Sequence, residues 1–334
     1  MMTSPPIAIT IGDPAGIGPE ICLRAVLEPE VSAICRPILV GDPCVLEAFR
    51  SRLDIQRPLA VLQRGHLPGV LISEPQVGRI EVLDTQTLEE APALALPSEA
   101  GGLASYAAIN LSIDEALAGR FAAVVTAPIN KLAMSLAGVK QPGHTEIFIE
   151  RTRTPHGAMM MYSERLAVGL VTCHQSLASV PGSLSTNAIV QTGRLLSTSV
   201  ERIRGRKPRM AVLGLNPHAG ESGLFGDEDL RVVAPAIRQL EEEGFIVQGP
   251  LPPDTAFTPA MLKRHDAHLC LYHDQGLIPF KMISFDDGVN VTMGLPFPRT
   301  SVDHGTAYDL AGRGVAEIGS ILAAIRLAAK LASQ

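Results

Sequence analysis

Three histidines carry the pattern with the most chemical content. His174, His218 and His273 stand in Thr-Cys-His-Gln, Asn-Pro-His-Ala-Gly-Glu and Tyr-His-Asp-Gln-Gly. Each lies at the end of a short apolar run with strand character, at 167–172, 210–215 and 268–272. Imidazole suits Zn, Co, Ni or Fe, and three protein ligands that leave coordination positions open suit catalysis better than a closed structural site. Taken singly, each reads as readily as a hydrogen-bonded loop histidine. Their shared placement turns the reading towards a metal. His66, His156, His265 and His268 lack that placement and read as ordinary surface or core residues.

A second group points to an anion. Gly143-His144-Thr145-Glu146 follows Pro142 and precedes an apolar stretch, the pattern of a helix N-terminus whose Thr or Glu supplies capping groups. Exposed backbone N–H groups there also bind phosphate, and Lys281 and Arg299 are available to complete a clamp. Either cation alone would read as a solvated surface charge. The opening motif, Ile11 through Glu20, is a strand followed by a Gly/Pro turn with Pro19 placed to start a helix. Its spacing is neither GxGxxG nor a Walker loop, so by itself it indicates no nucleotide site.

The elements that must position these residues follow an α/β rhythm. Runs rich in Val, Ile and Leu recur at 7–11, 38–40, 122–126, 167–172, 210–215 and 268–272, separated by stretches of helical spacing. In the C-terminal segment Ile318, Ile321, Leu322, Ile325 and Ala329 share one helical face. A helix is also expected from about 229 to 243, with Pro235 as a kink or first-turn residue and a stop at Gly244. Asp13, Asn130 and Lys131 follow strand ends as the three histidines do. In open α/β sheets ligands bind outside the carboxyl ends of strands.

Composition narrows the classes. With 334 residues, two packed domains with a cleft between them are expected rather than one core. Apolar runs of five or six residues cannot span a bilayer, and the first residues lack a secretory pattern, so a cytoplasmic protein is expected. The net charge of −6 argues against nucleic acid. Five cysteines without a CxxC pair indicate neither a zinc knuckle nor a disulfide framework and read as buried thiols.

Several blocks together resemble one family in order and spacing over nearly the whole chain: GDPAGIGPE, PGHTE, LNPHAGE, GPLPPDT, YHDQG, GVNVTMGLPFPRTSVDHGTA and the closing helix. They are similar to the 4-hydroxythreonine-4-phosphate dehydrogenases. The loop His304-Gly305-Thr306-Ala307, followed by Asp309 and Ala311-Gly312, resembles the adenosine-binding loop of isopropylmalate and isocitrate dehydrogenases. The resemblance implies a two-domain α/β/α fold of that dehydrogenase type. It places a nucleotide-binding domain at 1–128 plus 285–334, and a metal, substrate and dimerisation domain at 129–284. It further implies a homodimer with a shared active site in the interdomain cleft, NAD or NADP, and a divalent metal such as Zn, Mg, Co or Mn.

By motif, the resemblance makes His174, His218 and His273 the metal ligands. His144, Thr145, Lys281, Asn290 and Arg299 would hold a phosphorylated small-molecule substrate, and His304, Gly305, Thr306 and Ala307 the cofactor. Asp254, Asp274 and Lys281 are the catalytic candidates, with the carboxylates either orienting ligands or moving the proton. The implied reaction oxidises 4-phosphooxy-L-threonine and releases carbon dioxide to give 3-amino-2-oxopropyl phosphate, in pyridoxal phosphate biosynthesis. The acidic pair Asp286-Asp287 lies near the expected clamp and bears on substrate choice. Related enzymes act on D-threonate or D-erythronate 4-phosphate or on aromatic dihydrodiols. A non-catalytic phosphometabolite-binding protein is the alternative from another class. A hydrolase has no support, since neither a GxSxG elbow nor an HExxH helix occurs.

Overall fold

The computed structural model describes residues 4–71, 75–76 and 78–333. The chain divides into two compact units, one formed by 1–154 with 295–334 and the other by 155–294.

The first unit holds a parallel sheet of six strands. In chain order these are β1 (Pro6–Thr10), β2 (Arg36–Val40), β3 (Leu59–Leu62), β4 (Ile80–Leu83), β5 (Ala123–Thr126) and, from the returning segment, Arg299–Val302. Their spatial order is β3-β4-β2-β1-β5 followed by the 299–302 strand. Every pairing is parallel. Strands β1 and β5 are buried almost throughout, as parallel strands covered on both faces must be. Helix Gly319–Ala332 lies against β5 and the 299–302 strand through Ile321, Ala324, Ile325 and Ala328, so the apolar face expected near the C-terminus does pack on a sheet. A core of Ile38, Val40, Ile109, Ile113, Phe121, Phe148 and Phe297 fills the space beneath helix Glu99–Leu117.

The second unit contains β6 (Ala158–Tyr162), β7 (Ala167–Leu170), β8 (Arg209–Leu213), β9 (Ile246–Leu251), β10 (Ala267–Cys270) and β11 (Val289–Met293). The order is β11-β6-β7-β10-β8-β9. Strand β6 runs antiparallel to both of its neighbours, whereas β7, β10, β8 and β9 are mutually parallel. Their carboxyl ends therefore face one edge. Helix Thr186–Arg204 covers one face, burying Ile189, Val190, Leu196, Val200 and Ile203. The opening turn of helix His273–Ser284 lies so close to β7 and β10 that a Cβ on Gly276 would meet Val168 Cγ1 at 2.4 Å.

The boundaries expected at 128/129 and 284/285 lie elsewhere in these units. Helices Lys131–Leu136 and His144–Thr152 pack against helix Glu99–Leu117, which draws 129–154 into the first unit. The chain after 284 first adds β11 beside β6, keeping 285–294 in the second. The helix expected from 229 to 243 begins as a π-helical turn, Asp229–Val233, and continues as α-helix Ala234–Glu242 with Pro235 in its first turn. Cys22, Cys35 and Cys270 are buried, and burial raises the Cys35 thiol to about 12. Cys44 and Cys173 are a correction to the expectation of buried thiols. Both are partly exposed, one in the first turn of helix Pro43–Arg52 and the other in the turn after β7. Among the described residues no helix is long and apolar enough to cross a membrane.

Candidate active site

The four parallel strands of the second unit each end in a candidate residue. In spatial order, His174 follows β7, His273 follows β10, His218 follows β8 and Asp254 follows β9. The His174 and His273 rings lie 5.6 Å apart between centroids. His273 Nδ1 sits 2.7 Å from Asp274 Oδ1. With that nitrogen donating to the carboxylate, Nε2 keeps its lone pair for a metal, the arrangement in which an outer carboxylate orients a ligating imidazole. This geometry gives Asp274 an orienting position. Gln275, buried behind it, accepts from Leu271 N at 2.7 Å and donates to the Gly214 carbonyl at 2.7 Å, tying the end of β10 to the end of β8.

His218 reaches the edge on unusual backbone. Residues 218–223 all have positive φ, from 42° to 95°, forming a left-handed turn of His218, Ala219, Gly220, Glu221, Ser222 and Gly223. For an L-residue this conformation costs about 1–2 kcal/mol, so the four non-glycine positions together store roughly 4–8 kcal/mol unless neighbours hold them there. The His218 ring rests near Phe225, at 6.2 Å between centroids. Among the described residues no set of three or more His, Cys, Asp or Glu side chains is gathered closely enough to hold an ion. The structure thus pairs His174 with His273 and sets His218 at the neighbouring strand end. In donor chemistry the three imidazoles fit a divalent metal with open coordination positions.

Lys281 lies in the third turn of helix His273–Ser284, with Nζ 5.9 Å from the Phe285 ring centroid. Asn290 is on β11, its Nδ2 directed to Met159 Sδ at 3.0 Å. Of the acidic pair Asp286-Asp287, Asp287 forms an exposed ion pair with Arg165 at 3.1 Å.

The remaining anion-binding candidates belong to the first unit. Helix His144–Thr152 starts at Gly143 with no side-chain cap, so its first N–H groups are not satisfied by a capping side chain. Arg299, expected as a surface charge when considered alone, is instead 2% exposed on its strand. It donates to Thr126 Oγ1 at 2.5 Å and lies over the Phe148 ring at 5.3 Å. Burial lowers its pKa to about 9, with Glu146 opposing the shift. His144 Nε2 is enclosed without a hydrogen-bond partner. Desolvation and the Arg299 charge hold the His144 imidazole well below its usual pKa and therefore neutral. An uncapped helix start, a buried guanidinium and an unsatisfied ring nitrogen together offer the donors and positive charge that suit an anion.

The opening motif also acquires a role. At Gly12, φ is +70° and a Cβ would meet the Pro128 carbonyl at 2.3 Å, so the turn after β1 requires glycine. Asp13, 1% exposed, accepts from Ala15 N at 2.8 Å and from the Tyr308 hydroxyl at 2.8 Å. Burial raises the Asp13 carboxyl, and these two donors partly oppose that. Ile17 N donates to the Thr306 carbonyl at 3.0 Å. Glu20 accepts from Gly314 N at 3.1 Å and Ala316 N at 3.0 Å. The motif therefore clamps both ends of the loop containing His304, Gly305, Thr306 and Ala307. Neither composition nor spacing marks the contacts that Asp13, Glu20, Tyr308, Gln275 and Asp229 make. Four of them lie inside or beside quoted motifs, but only the fold reveals what they hold.

Comparison with known proteins agrees with this geometry. Residues 33–328 match the family described as Pyridoxal phosphate biosynthetic protein PdxA. A 4-hydroxythreonine-4-phosphate dehydrogenase of Desulforapulum autotrophicum is 46% identical, covering 97% of this chain and 95% of its own. A Symbiobacterium thermophilum protein whose assigned name proposes a D-threonate 4-phosphate dehydrogenase is 43% identical, covering 100% and 98%. The crystal structure of 4-hydroxythreonine-4-phosphate dehydrogenase from Klebsiella pneumoniae matches with a TM-score of 0.86 at 38% identity, covering 98% of this chain and 100% of that one. The chain belongs to the PdxA family of pyridoxal phosphate biosynthetic proteins.

Proposed function

We propose that the protein is an NAD(P)-dependent, divalent-metal-dependent dehydrogenase that oxidises 4-phosphooxy-L-threonine. The resulting β-keto acid loses carbon dioxide to give 3-amino-2-oxopropyl phosphate. The observation that carries this reading is the line of His174, His273, His218 and Asp254 along one edge of four parallel strands, in a chain of this family.

His174, His218 and His273 would hold the metal. When bound, a divalent cation supplies Lewis acidity for ionising the substrate hydroxyl and for the negative charge left by decarboxylation. The chain's own groups do the rest. Asp274 orients the His273 ring, while Asp254 and Lys281 are the candidates for moving the hydroxyl proton. In the first unit the start of helix His144–Thr152, neutral His144, Thr145 and Arg299 would bind the phosphate; in the second, Lys281 and Asn290 are the candidates for substrate recognition. His304, Gly305, Thr306 and Ala307 of the clamped loop would hold the dinucleotide, which when bound would supply the hydride acceptor. Ile278, Met282 and Phe285 are exposed in succession on helix His273–Ser284 and just beyond it, an apolar stripe suited to a second copy in a homodimer.

A second substrate reading, D-threonate or D-erythronate 4-phosphate, is favoured by the 43% identity to the Symbiobacterium protein. The test is NAD(P)H formation by the purified protein with a divalent metal on the three substrates. A preference above tenfold in kcat/KM for 4-phosphooxy-L-threonine, about 1.4 kcal/mol, supports the first reading. The opposite preference supports the second, and no turnover of any of them refutes both and puts the aromatic-dihydrodiol or the phosphometabolite-binding reading first.

A further inference from the structure

The left-handed turn that carries His218 is held from behind by a residue that no motif marked. Asp229, 1% exposed at the start of the π-helical turn, accepts from Leu215 N at 2.7 Å and Asn216 N at 3.0 Å, one bond to each carboxylate oxygen. Glu228 adds a bond from Asn216 Nδ2 at 2.8 Å. The turn wraps around this carboxylate so closely that a Cβ on Gly214 would approach Asp229 Oδ1 at 3.1 Å, and one on Gly220 would approach Oδ2 at 3.4 Å. At the ends of the turn Ala219 N donates to the Asn216 carbonyl at 3.0 Å, Leu224 N to the Glu221 carbonyl at 3.2 Å and Phe225 N to the Gly220 carbonyl at 3.2 Å.

Six consecutive positive-φ residues run against intrinsic preference, because each of the four non-glycine residues among them favours the right-handed side. We propose that Asp229 is a positioning residue for the metal, holding the left-handed turn in the shape that presents His218. The inference rests on the reading of His218 as a ligand and adds the device that keeps it in place. A carboxylate that accepts from two successive backbone N–H groups fixes the entry to the turn, and the π-helical turn sets the carboxylate at that depth. Strain of this kind is retained where the surrounding structure over-determines it, most often at functional sites.

The experiment is Co²⁺ titration of the full-length metal-free protein, followed by visible absorbance, beside thermal unfolding of the same samples. His218→Ala is the ligand control. Asp229→Asn keeps the shape but turns one acceptor into a donor facing a backbone N–H. It should weaken Co²⁺ binding by about 10- to 100-fold, the usual effect of losing an outer partner of a metal ligand. Ala219→Gly removes strain at φ 53° and should raise the melting temperature by about 1–3 °C without weakening Co²⁺ binding.

The decisive sample is the double variant. If Asp229 acts by holding strained backbone, Ala219→Gly should recover at least about fivefold of the affinity lost in Asp229→Asn, a coupling of roughly 1 kcal/mol. A folded Asp229→Asn protein that binds Co²⁺ like the wild type overturns the proposal. So does a loss of affinity that Ala219→Gly leaves unchanged, since Asp229 would then act through its charge alone. If Asp229→Asn does not fold, Asp229→Glu takes its place and the same rescue is required. Wild-type protein that binds no Co²⁺ instead refutes the metal reading itself.

Discussion

The two units use the same architectural position, the carboxyl ends of parallel strands, in opposite ways. In the first, Asp13 and Glu20 after β1 are at most 1% exposed and accept from backbone and side-chain donors, while Arg299, at the start of its own strand and 2% exposed, reaches Thr126 at the end of β5. In the second, the imidazoles of His174 and His218 are exposed, and one of them rides on strained backbone. The contrast fits two kinds of guest. An extended dinucleotide or a phosphate is held by a surface shaped in advance, where desolvated donors are strongest. A metal ion needs a few nitrogen lone pairs that it can reach from solvent.

The comparison is broken most severely by removing a ligand. His218→Ala should lower kcat/KM by about a thousandfold or more while leaving the melting temperature near that of the wild type, because the ring is exposed and buries little. Full activity in that variant would remove the metal from the second unit. In the first unit Arg299→Lys keeps a charge but loses the planar fork and the stacking on Phe148. It should raise KM for the phosphorylated substrate by about 30- to 150-fold, some 2–3 kcal/mol, with Co²⁺ affinity unchanged. Steady-state kinetics beside metal titration separates the two.

Buried histidines sharpen the contrast with exposed ones. His268 is fully buried on β10, stacked on Phe257 and bonded through Nε2 to the Ala256 carbonyl at 3.0 Å. Desolvation is the main cause that lowers its pKa from 6.5 to about 4. The unfolded chain therefore takes up the proton first, so the stability this histidine contributes above pH 6.5 is lost as pH falls from 6.5 towards 4. The loss should reach about 3 kcal/mol by pH 4. Neighbouring His265, also lowered mainly by desolvation, acts in the same direction. Urea unfolding from pH 7 to 4 should show this slope, and His268→Gln should flatten it. An unchanged slope would place the acid sensitivity elsewhere. The smallest effect is expected from Tyr308→Phe, which removes the bond to Asp13. It should raise KM for the dinucleotide about tenfold while kcat and KM for the phosphorylated substrate stay within about twofold. A change in kcat alone would detach Tyr308 from cofactor binding.

What the sequence made legible follows from how each element advertises itself. Strands β1, β5, β7, β8 and β10 are buried on both faces and read as continuous apolar runs. The helix Gly319–Ala332 displays its buried face at helical spacing. Strands β9, with Gly249 and Pro250 inside it, and β11, alternating Val-Asn-Val-Thr, lack that signature and were not anticipated. The 299–302 strand begins with a buried arginine, which composition alone assigns to the surface. The strand-end histidines stood out because their position is a property of the local sequence. Asp229 and Tyr308 did not, since each bonds to a group 13 or more residues away, backbone N–H groups for Asp229 and the Asp13 carboxylate for Tyr308, and no spacing rule marks such contacts.

The central claim is that oxidation at this site depends on a metal held by the strand-end histidines. The direct measurement is the initial rate of NAD(P)H formation from 4-phosphooxy-L-threonine, before metal is stripped by a chelator, after stripping, and after a divalent cation is returned. The account predicts a rate that falls to background in the stripped protein, returns with one cation per chain, and fails to return in His218→Ala. A rate that persists in the stripped protein, or returns equally in the variant, would contradict it.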